Sequence, residues 1–202
     1  MVLFGASGHG KVIIDILELN GTRDIKIWDD APKDTLSVYN VSLPDFNDTD
    51  ALRSVTISIG DNANRKKVAE RFPSQTKFHT AIHPSATISK TVTVEDGTVI
   101  MAGVSINPDT SIGKHGIINT NASIDHDCLI GDYVHISPNV ALCGNVTIGE
   151  GTHIGAASVV IPGKTIGKWC TIGAGTVIIS DVPDYATVVG NPGRIIKTST
   201  KG

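Results

Sequence analysis

The sequence predicts two joined architectures: a Rossmann-like α/β nucleotide-binding unit over residues 1–78, then a parallel β-helix of hexapeptide repeats with a C-terminal tail over residues 79–202. Three observations carry this. Every sixth residue from Ile82 to Ile178 is aliphatic, without one slip of register. The residues two places earlier are mostly small or β-branched, among them Ala86, Val92, Val104, Ala122, Cys128, Val134 and Ser158. Ahead of that run, an apolar Val2-Leu3-Phe4 leads into Gly5-Ala6-Ser7-Gly8-His9-Gly10. A six-residue period fits neither an amphipathic helix nor an alternating strand. It is the pattern of short strands coiling through tight turns.

The α/β unit reads in order. After the glycine-rich turn, Val12, Ile13, Ile16, Leu17 and Leu19 have helical spacing, which predicts a helix from Lys11 to Asn20, ended by Gly21. A second strand, Ile25 to Trp28, runs into Asp29-Asp30. Only a short strand near Val38 to Val41 stands out before the next clear strand, Val55 to Ile59. Gly60-Asp61-Asn62 and a helix from Ala63 to Phe72 follow, closed by Pro73. Strand, glycine-rich turn, helix, strand and then acidic residues is the layout of a nucleotide-binding unit. Glycines let the backbone approach a phosphate, and a helix N-terminus favours its charge. The spacing is G-x-x-G-x-G and the unit is short, so a mononucleotide or nucleotide sugar fits better than a nicotinamide. A tight strand-to-helix connection explains the glycines equally well.

In the repeat, side chains alternate, so the residue just before each inward aliphatic faces out. Three hexads make one coil, and residues 18 apart stack one strand spacing apart, about 4.8 Å. His135 and His153 therefore stack on one outer face, while Cys128 and Cys170 point inward. His126 falls at a corner, between Asp125 and Asp127. A histidine flanked by carboxylates is a candidate general base, because a neighbouring acid orients the ring and stabilises its protonated form. Ser137, Gly155 and Gly173 follow the inward aliphatics on one face, small residues that leave that surface open to an extended ligand. Lys164 occupies an inward position, which predicts a distortion around Pro162-Gly163 and irregular final coils. Beyond Ile178 the register stops, and Gly190-Asn191-Pro192-Gly193-Arg194 reads as a loop before a tail that carries Lys197 and Lys201.

Composition narrows the function classes. The net charge of −3 over 202 residues gives no basic surplus for nucleic acid. No apolar run approaches membrane-spanning length, and the chain opens directly on a strand, so a soluble, cytoplasmic protein is expected. Three cysteines at unpaired spacing predict reduced thiols. A zinc hydratase reading finds His79 and His115, but Thr120 stands where a third ligand would, so no metal is expected.

Several stretches together resemble one family. They are Gly5-Ala6-Ser7-Gly8-His9-Gly10, Trp28-Asp29-Asp30, Ile59-Gly60-Asp61-Asn62 with Arg65, Asn119-Thr120, Ile124 to Cys128, His135-Ile136-Ser137-Pro138 and Val189-Gly190-Asn191-Pro192. The chain is similar over nearly its whole length to the hexapeptide-repeat sugar O- and N-acetyltransferases of the NeuD/PglD type. The resemblance implies a left-handed coil and homotrimers, with acetyl-CoA lying between adjacent subunits and a nucleotide-linked amino sugar as acceptor. It implies His126 as catalytic base and Asp127 as the acid beside it, where the best-known N-acetyltransferases have glutamate. It places His135 near the thioester or the acceptor sugar, and Gly8, His9, Asp29 and Asp30 in the nucleotide-sugar pocket. Gly155, Gly173, Lys164, Asn191 and Pro192 are the expected cofactor contacts. The expected reaction is direct N-acetylation, with O-acetylation of a sugar such as sialic acid as the alternative; a non-catalytic binding solenoid is the reading from another class.

Overall fold

A computed structural model describes residues 1–199, which leaves the tail's Lys201 outside the described residues. The first unit is a five-stranded sheet in the order β3-β4-β2-β1-β5. Strands β1 (Val2–Phe4), β2 (Lys26–Trp28), β4 (Tyr39–Ser42) and β5 (Val55–Ile57) run parallel, and β3 (Thr35–Leu36) adds to β4 as an antiparallel hairpin. The two-residue β3 has no apolar run to betray it in the sequence. Helix α1 (Gly8–Leu19) starts earlier than spacing predicts, because the glycine-rich turn itself winds into the first helical turn. It ends where expected: Gly21 at φ +85 lets its N–H reach Glu18 O while Thr22 N–H reaches Leu17 O, the two bonds of a Schellman cap. Helix α2 (Asn62–Ala69) is capped by Asp61, whose carboxylate accepts Asn64 N–H at 2.8 Å. It stops short of Phe72, which instead turns into an aromatic cluster with Phe4, Phe46 and Phe78.

The solenoid forms one two-residue strand per hexad, from β6 (Ala81–Ile82) to β22 (Val177–Ile178). Every third strand shares a sheet, giving three faces. Face I begins with β6, face II with β7 (Thr87–Ile88) and face III with β8 (Thr93–Val94). Residues 18 apart pair in parallel register, as His135 does with His153 and Ser105 with Ser123. The aliphatic column and its small partners form one buried core from Ile100 to Val188. Each corner from Gly97 to Gly175 has one residue in the left-handed region, every sixth along the chain. Glycine, asparagine and aspartate tolerate that conformation and fill most of these places; His115, Tyr133 and Trp169 are bulky exceptions.

The distortion expected at Pro162-Gly163 is absent. Gly163 takes the ordinary corner conformation, and the ladder runs through it unbroken, with Gly163 N–H to Gly144 O at 3.0 Å and Thr147 N–H to Lys164 O at 2.9 Å. The ladder is backbone, indifferent to the side chain. Lys164 is only half-buried, and a lysine stem reaches water from such a position. Past β22, strand β23 (Ala186–Val189) joins face I beside β21 (Thr171–Ile172), and β24 (Arg194–Thr198) folds back antiparallel on it.

The α/β unit sits on face I. The outward residues Ala81, Val99 and Ile117 of its first coils pack with Ile13, Ile14 and Leu17 of α1. Helix α2 grips the corner between faces III and I, the column of His115, Tyr133, Gly151 and Trp169. Asn62 Nδ2 donates to Gly151 O at 3.0 Å, and Lys66 pairs with Glu150 at 2.6 Å while lying over the rings of Tyr133 and Trp169. The bulky corner residues are the ones that hold the two units together.

Candidate active site

His126 stands at the corner between faces II and III, following β13 (Ser123–Ile124) and preceding β14 (Leu129–Ile130). Its side chain is 57% exposed, and Nδ1 is 2.7 Å from Asp127 Oδ2. Asp127 is the left-handed residue of this corner, φ +58, which turns its carboxylate back beside the ring that precedes it. That hydrogen bond, and then the charge of Asp125, raise the His126 pKa above its usual value. Asp125 is itself engaged: Oδ1 accepts Asn107 Nδ2 at 2.8 Å and the His126 N–H at 2.9 Å, and its pKa is lowered chiefly by Asn107. With Nδ1 committed to Asp127, Nε2 is the free ring nitrogen. It lies against Gly144, one coil further on: a β-carbon there would stand 2.7 Å from Nε2. Gly144 N–H has no hydrogen-bond partner among the described residues. Next to this corner, on face II, Ser105, Asn107, Ser123, Asp125, Ala141 and Cys143 line a cavity of about 220 Å³. Cys128 is buried and points inward, as its place in the repeat predicts; Cys143 is half-buried.

His135, on β15 (His135–Ile136), lies on face I, across the prism from His126. The expected stack with His153 is present, with ring centroids 4.8 Å apart and planes 12° from parallel. His135 Nε2 is 3.2 Å from Asn119 Nδ2, and His153 Nε2 is 2.8 Å from Ser137 Oγ. Burial, then His153, then the Arg65 charge hold the His135 pKa down at about 3, and burial lowers His153 too. Both rings face a 460 Å³ cavity walled by Gly60, Asp61, Asn62 and Trp169.

The glycine-rich turn opens into a third cavity, of about 480 Å³, lined by Ala6, Ser7, Gly8, Lys11, Lys33 and Thr35. Gly8 faces open space. No Ser7 side-chain cap covers the first turn of α1, and that turn holds no acidic residue. With Lys11 and Lys33 alongside, the composition of this turn suits an anion. Asp29 shapes the turn rather than facing a ligand freely: Oδ2 accepts Ala6 N–H at 2.7 Å and Oδ1 accepts Ala31 N–H at 2.9 Å. Asp30 departs from the expectation that both acids face the pocket. It forms a bidentate pair with Arg71 at 2.6 and 2.7 Å, a planar fork that commits both its oxygens. His9 turns inward from the same turn; its Nε2 is buried without a partner, and burial followed by Arg65 lowers its pKa to about 4.

The two glycines expected to make room for an extended ligand have another reason to be glycine. A β-carbon on Gly155 would stand 2.6 Å from Ile172 O and Ala174 N, and one on Gly173 would stand 2.8 Å from Val189 Cγ1. The space is filled by the next coil, not left open. Asn191 and Pro192, joined by a cis peptide, form the exposed link between β23 and β24, flanked by bonds from Val177 N–H to Gly190 O and Gly193 N–H to Val177 O. Among the described residues no group of three or more His, Cys, Asp or Glu side chains could hold a metal ion. Gly144, Asn107 and Arg65's internal bonds are contributors that spacing did not single out, although Gly144 and Asn107 lie 18 residues from His126 and Asp125 and were findable by that stride.

A repeat-built prism bearing an exposed His–Asp pair at one corner and a glycine-turn unit on one face defines a hexapeptide-repeat transferase. The comparisons agree. The PglD N-terminal domain family matches residues 1–72, and the bacterial transferase hexapeptide family matches 127–162 and 145–180. The structure of PerB from Caulobacter crescentus, in complex with CoA and GDP-perosamine, superposes with a TM-score of 0.90 at 37% identity, covering 97% of this chain and 96% of that one. The acetyltransferase domain of PglB from Neisseria gonorrhoeae, in complex with acetyl coenzyme A, gives 0.91 at 34%, covering 96% and 98%. A curated relative, the UDP-N-acetylbacillosamine N-acetyltransferase of Bacillus subtilis, is 38% identical over 117 residues, 50% of this chain and 51% of that protein, so the match spans about half its length. The chain belongs to the hexapeptide-repeat sugar acetyltransferases of the PglD type.

Proposed function

We propose that this protein transfers the acetyl group of acetyl-CoA to the amino group of a nucleotide-linked sugar. The observation that carries the reading is the exposed His126–Asp127 pair, whose Nε2 has no hydrogen-bond partner among the described residues. The neutral amine attacks the thioester carbonyl; a carbon–nitrogen bond forms and the carbon–sulfur bond breaks. His126 Nε2 takes the proton released by the amine and returns it to the departing CoA thiolate, so no charge accumulates. Asp127 holds the ring and stabilises its charged form. The unpartnered Gly144 N–H is placed to stabilise the oxyanion, in the same corner as Nε2. The acceptor's diphosphate lies against the first turn of α1 with Lys11 and Lys33.

Residues 1–78 bind the nucleotide and residues 79–202 carry the chemistry. Within one chain the glycine-rich turn and the base are apart: the α/β unit covers face I, and His126 occupies the opposite corner. A complete site therefore needs two copies, which supports a homotrimer with sites between subunits. No helix among the described residues is long and apolar enough to cross a membrane, and a nucleotide sugar and acetyl-CoA are cytoplasmic substrates. Acetyl-CoA consumption measured against UDP-, dTDP- and GDP-linked amino sugars tests the reading. A His126→Ala variant that acetylates the best acceptor at the normal rate would refute the assignment, and acetylation of sialic acid alone would favour the hydroxyl alternative.

A further inference from the structure

Thr110 is a polar side chain in an apolar column. It takes the inward small-residue position of its hexad, 1% exposed, where Val104, Ala122, Val134, Val140 and Val146 fill the same place in other hexads. A buried hydroxyl is costly there unless its hydrogen bonds are made, and they are. Thr110 Oγ1 donates to Asp125 O at 2.8 Å and accepts the Cys128 N–H at 3.2 Å. Those two groups are the ends of the corner that carries His126 and Asp127. At other corners the equivalent groups bond each other, Ala122 N–H to Asn119 O at 3.1 Å and Val140 N–H to Ser137 O at 3.4 Å. At residues 125–128 the hydroxyl stands between them, so the turn is held from the coil before it rather than closed on itself. The inward position alone does not dictate this, since the buried Thr176 Oγ1 has no partner.

The rest of the segment between β10 (Ser105–Ile106) and β11 (Ser111–Ile112) grips the same corner. Asn107 Nδ2 donates to Asp125 Oδ1 at 2.8 Å, an oxygen that also accepts the His126 N–H at 2.9 Å, and the Asp127 N–H donates to Pro108 O at 3.1 Å. Every residue from 125 to 128 is thereby tied down, and Asp127 is kept in the left-handed conformation that sets its carboxylate beside Nδ1. We propose that Thr110 is a positioning residue for acetyl transfer: its buried hydroxyl fixes this corner in the shape that holds the His126 ring against Asp127. The proposal rests on the reading of His126 as the base. The charges that act on the ring are Asp127 and then Asp125, both on its own corner. The coil before brings Asp109 to the same corner, and the coil after brings the uncharged Gly144 and Asn145.

Valine is the commonest occupant of this column, so Thr110→Val keeps the packing and removes the hydroxyl. It is expected to lower kcat about 10- to 100-fold, the scale of a misplaced catalytic group, with the acetyl-CoA KM within about twofold. With the corner loosened, Nδ1 parts from Asp127. The His126 titration, followed by NMR of the full-length protein, then moves down toward its usual range, and the acid limb of kcat/KM moves with it. Thr110→Ser should restore both. Thr98 supplies the control, because its Oγ1 makes the same bridge, to Gly113 O at 2.8 Å and from the Gly116 N–H at 2.9 Å, at a corner away from the base. Thr98→Val should cost comparable thermal stability and leave the His126 titration where it was. A His126 titration that is unchanged in Thr110→Val, or that moves as far in Thr98→Val, overturns the proposal even if activity falls, because the hydroxyl then serves cohesion only. If Thr110→Val does not fold, Thr110→Ala, which repeats the residue at 122, is read for the same outcomes. If His126→Ala acetylates at the wild-type rate, the base assignment is what fails, and the titration still reports on the link from Thr110 to the corner.

Discussion

The Nε2 atom of His126 lies 2.7 Å from the place a β-carbon on residue 144 would occupy. A β-carbon at 144 would collide with the Cε1–Nε2 edge of the His126 ring, which gives the position a reason to be glycine. In Gly144→Ala the methyl meets the exposed ring, which swings away from Asp127 rather than forcing the coil to move. We expect kcat to fall about 100-fold, the scale of losing a placed general base. Thermal unfolding is expected to move by no more than a few degrees. Turnover near the wild-type rate in this variant would show that Nε2 does not work from the observed position.

The pH profile tests the partner of that base. As the proposed base His126 acts when neutral, and the hydrogen bond its Nδ1–H donates to Asp127 raises its pKa, so the acid limb of kcat/KM is expected above the pH of an unperturbed imidazole. Asp127→Asn removes the largest cause of that shift. The limb should move to lower pH while the plateau rate drops, because the ring is no longer oriented. Asp125→Asn removes the second cause, the neighbouring charge, and should move the limb in the same direction by less. An acid limb that stays in place in Asp127→Asn would assign the titration to another group.

The solenoid was legible because its core is a one-dimensional pattern: each hexad repeats the same inward aliphatic, and a stride of 18 converts position into face. That stride placed His135 over His153 and turned Cys128 inward. It failed at Lys164, where the pattern reports what a side chain meets and the backbone ladder does not depend on it. At Gly155 and Gly173 it did not reveal the close approach of the neighbouring stretch of chain, which is a reason for glycine whether or not a ligand also lies there. The pairing of Asp30 with Arg71 and the five bonds of Arg65 join residues far apart in sequence with no period linking them. Those contacts belong to the α/β unit and its docking, where the chain is not repetitive.

Stability should fall steeply in mild acid. His9 and His115 are held at about 4 and His135 at about 3, each chiefly by burial, and His79 and His153 are lowered as well. Between the unfolded value of 6.5 and these folded values the unfolded chain binds protons that the folded chain refuses, so stability is lost as pH falls through that window. His126, raised and exposed, acts in the opposite sense and only weakly. Chemical denaturation at pH 7, 6 and 5 should therefore give a midpoint that drops progressively. In His115→Phe, whose ring can keep the stack between Phe78 and Tyr133, the drop should be shallower by one group, because Arg65 bonds only the backbone at 115. A flat profile would mean that these histidines titrate freely in the folded protein.

Splitting the site between two chains makes the sharpest test of the assembly. His126→Ala destroys the base but leaves face I intact, and His135→Asn does the reverse. Each homo-oligomer alone should be nearly inactive. Where every site takes its base from one subunit and its face I from the next, equal mixing with subunit exchange pairs an intact base with an intact face in about a quarter of sites. The mixture should recover about that fraction of wild-type activity, and linking both substitutions in one chain and mixing it with the wild type should recover none beyond what the wild-type subunits supply. No recovery in a mixture shown by mass to have exchanged would mean that each subunit completes its own site.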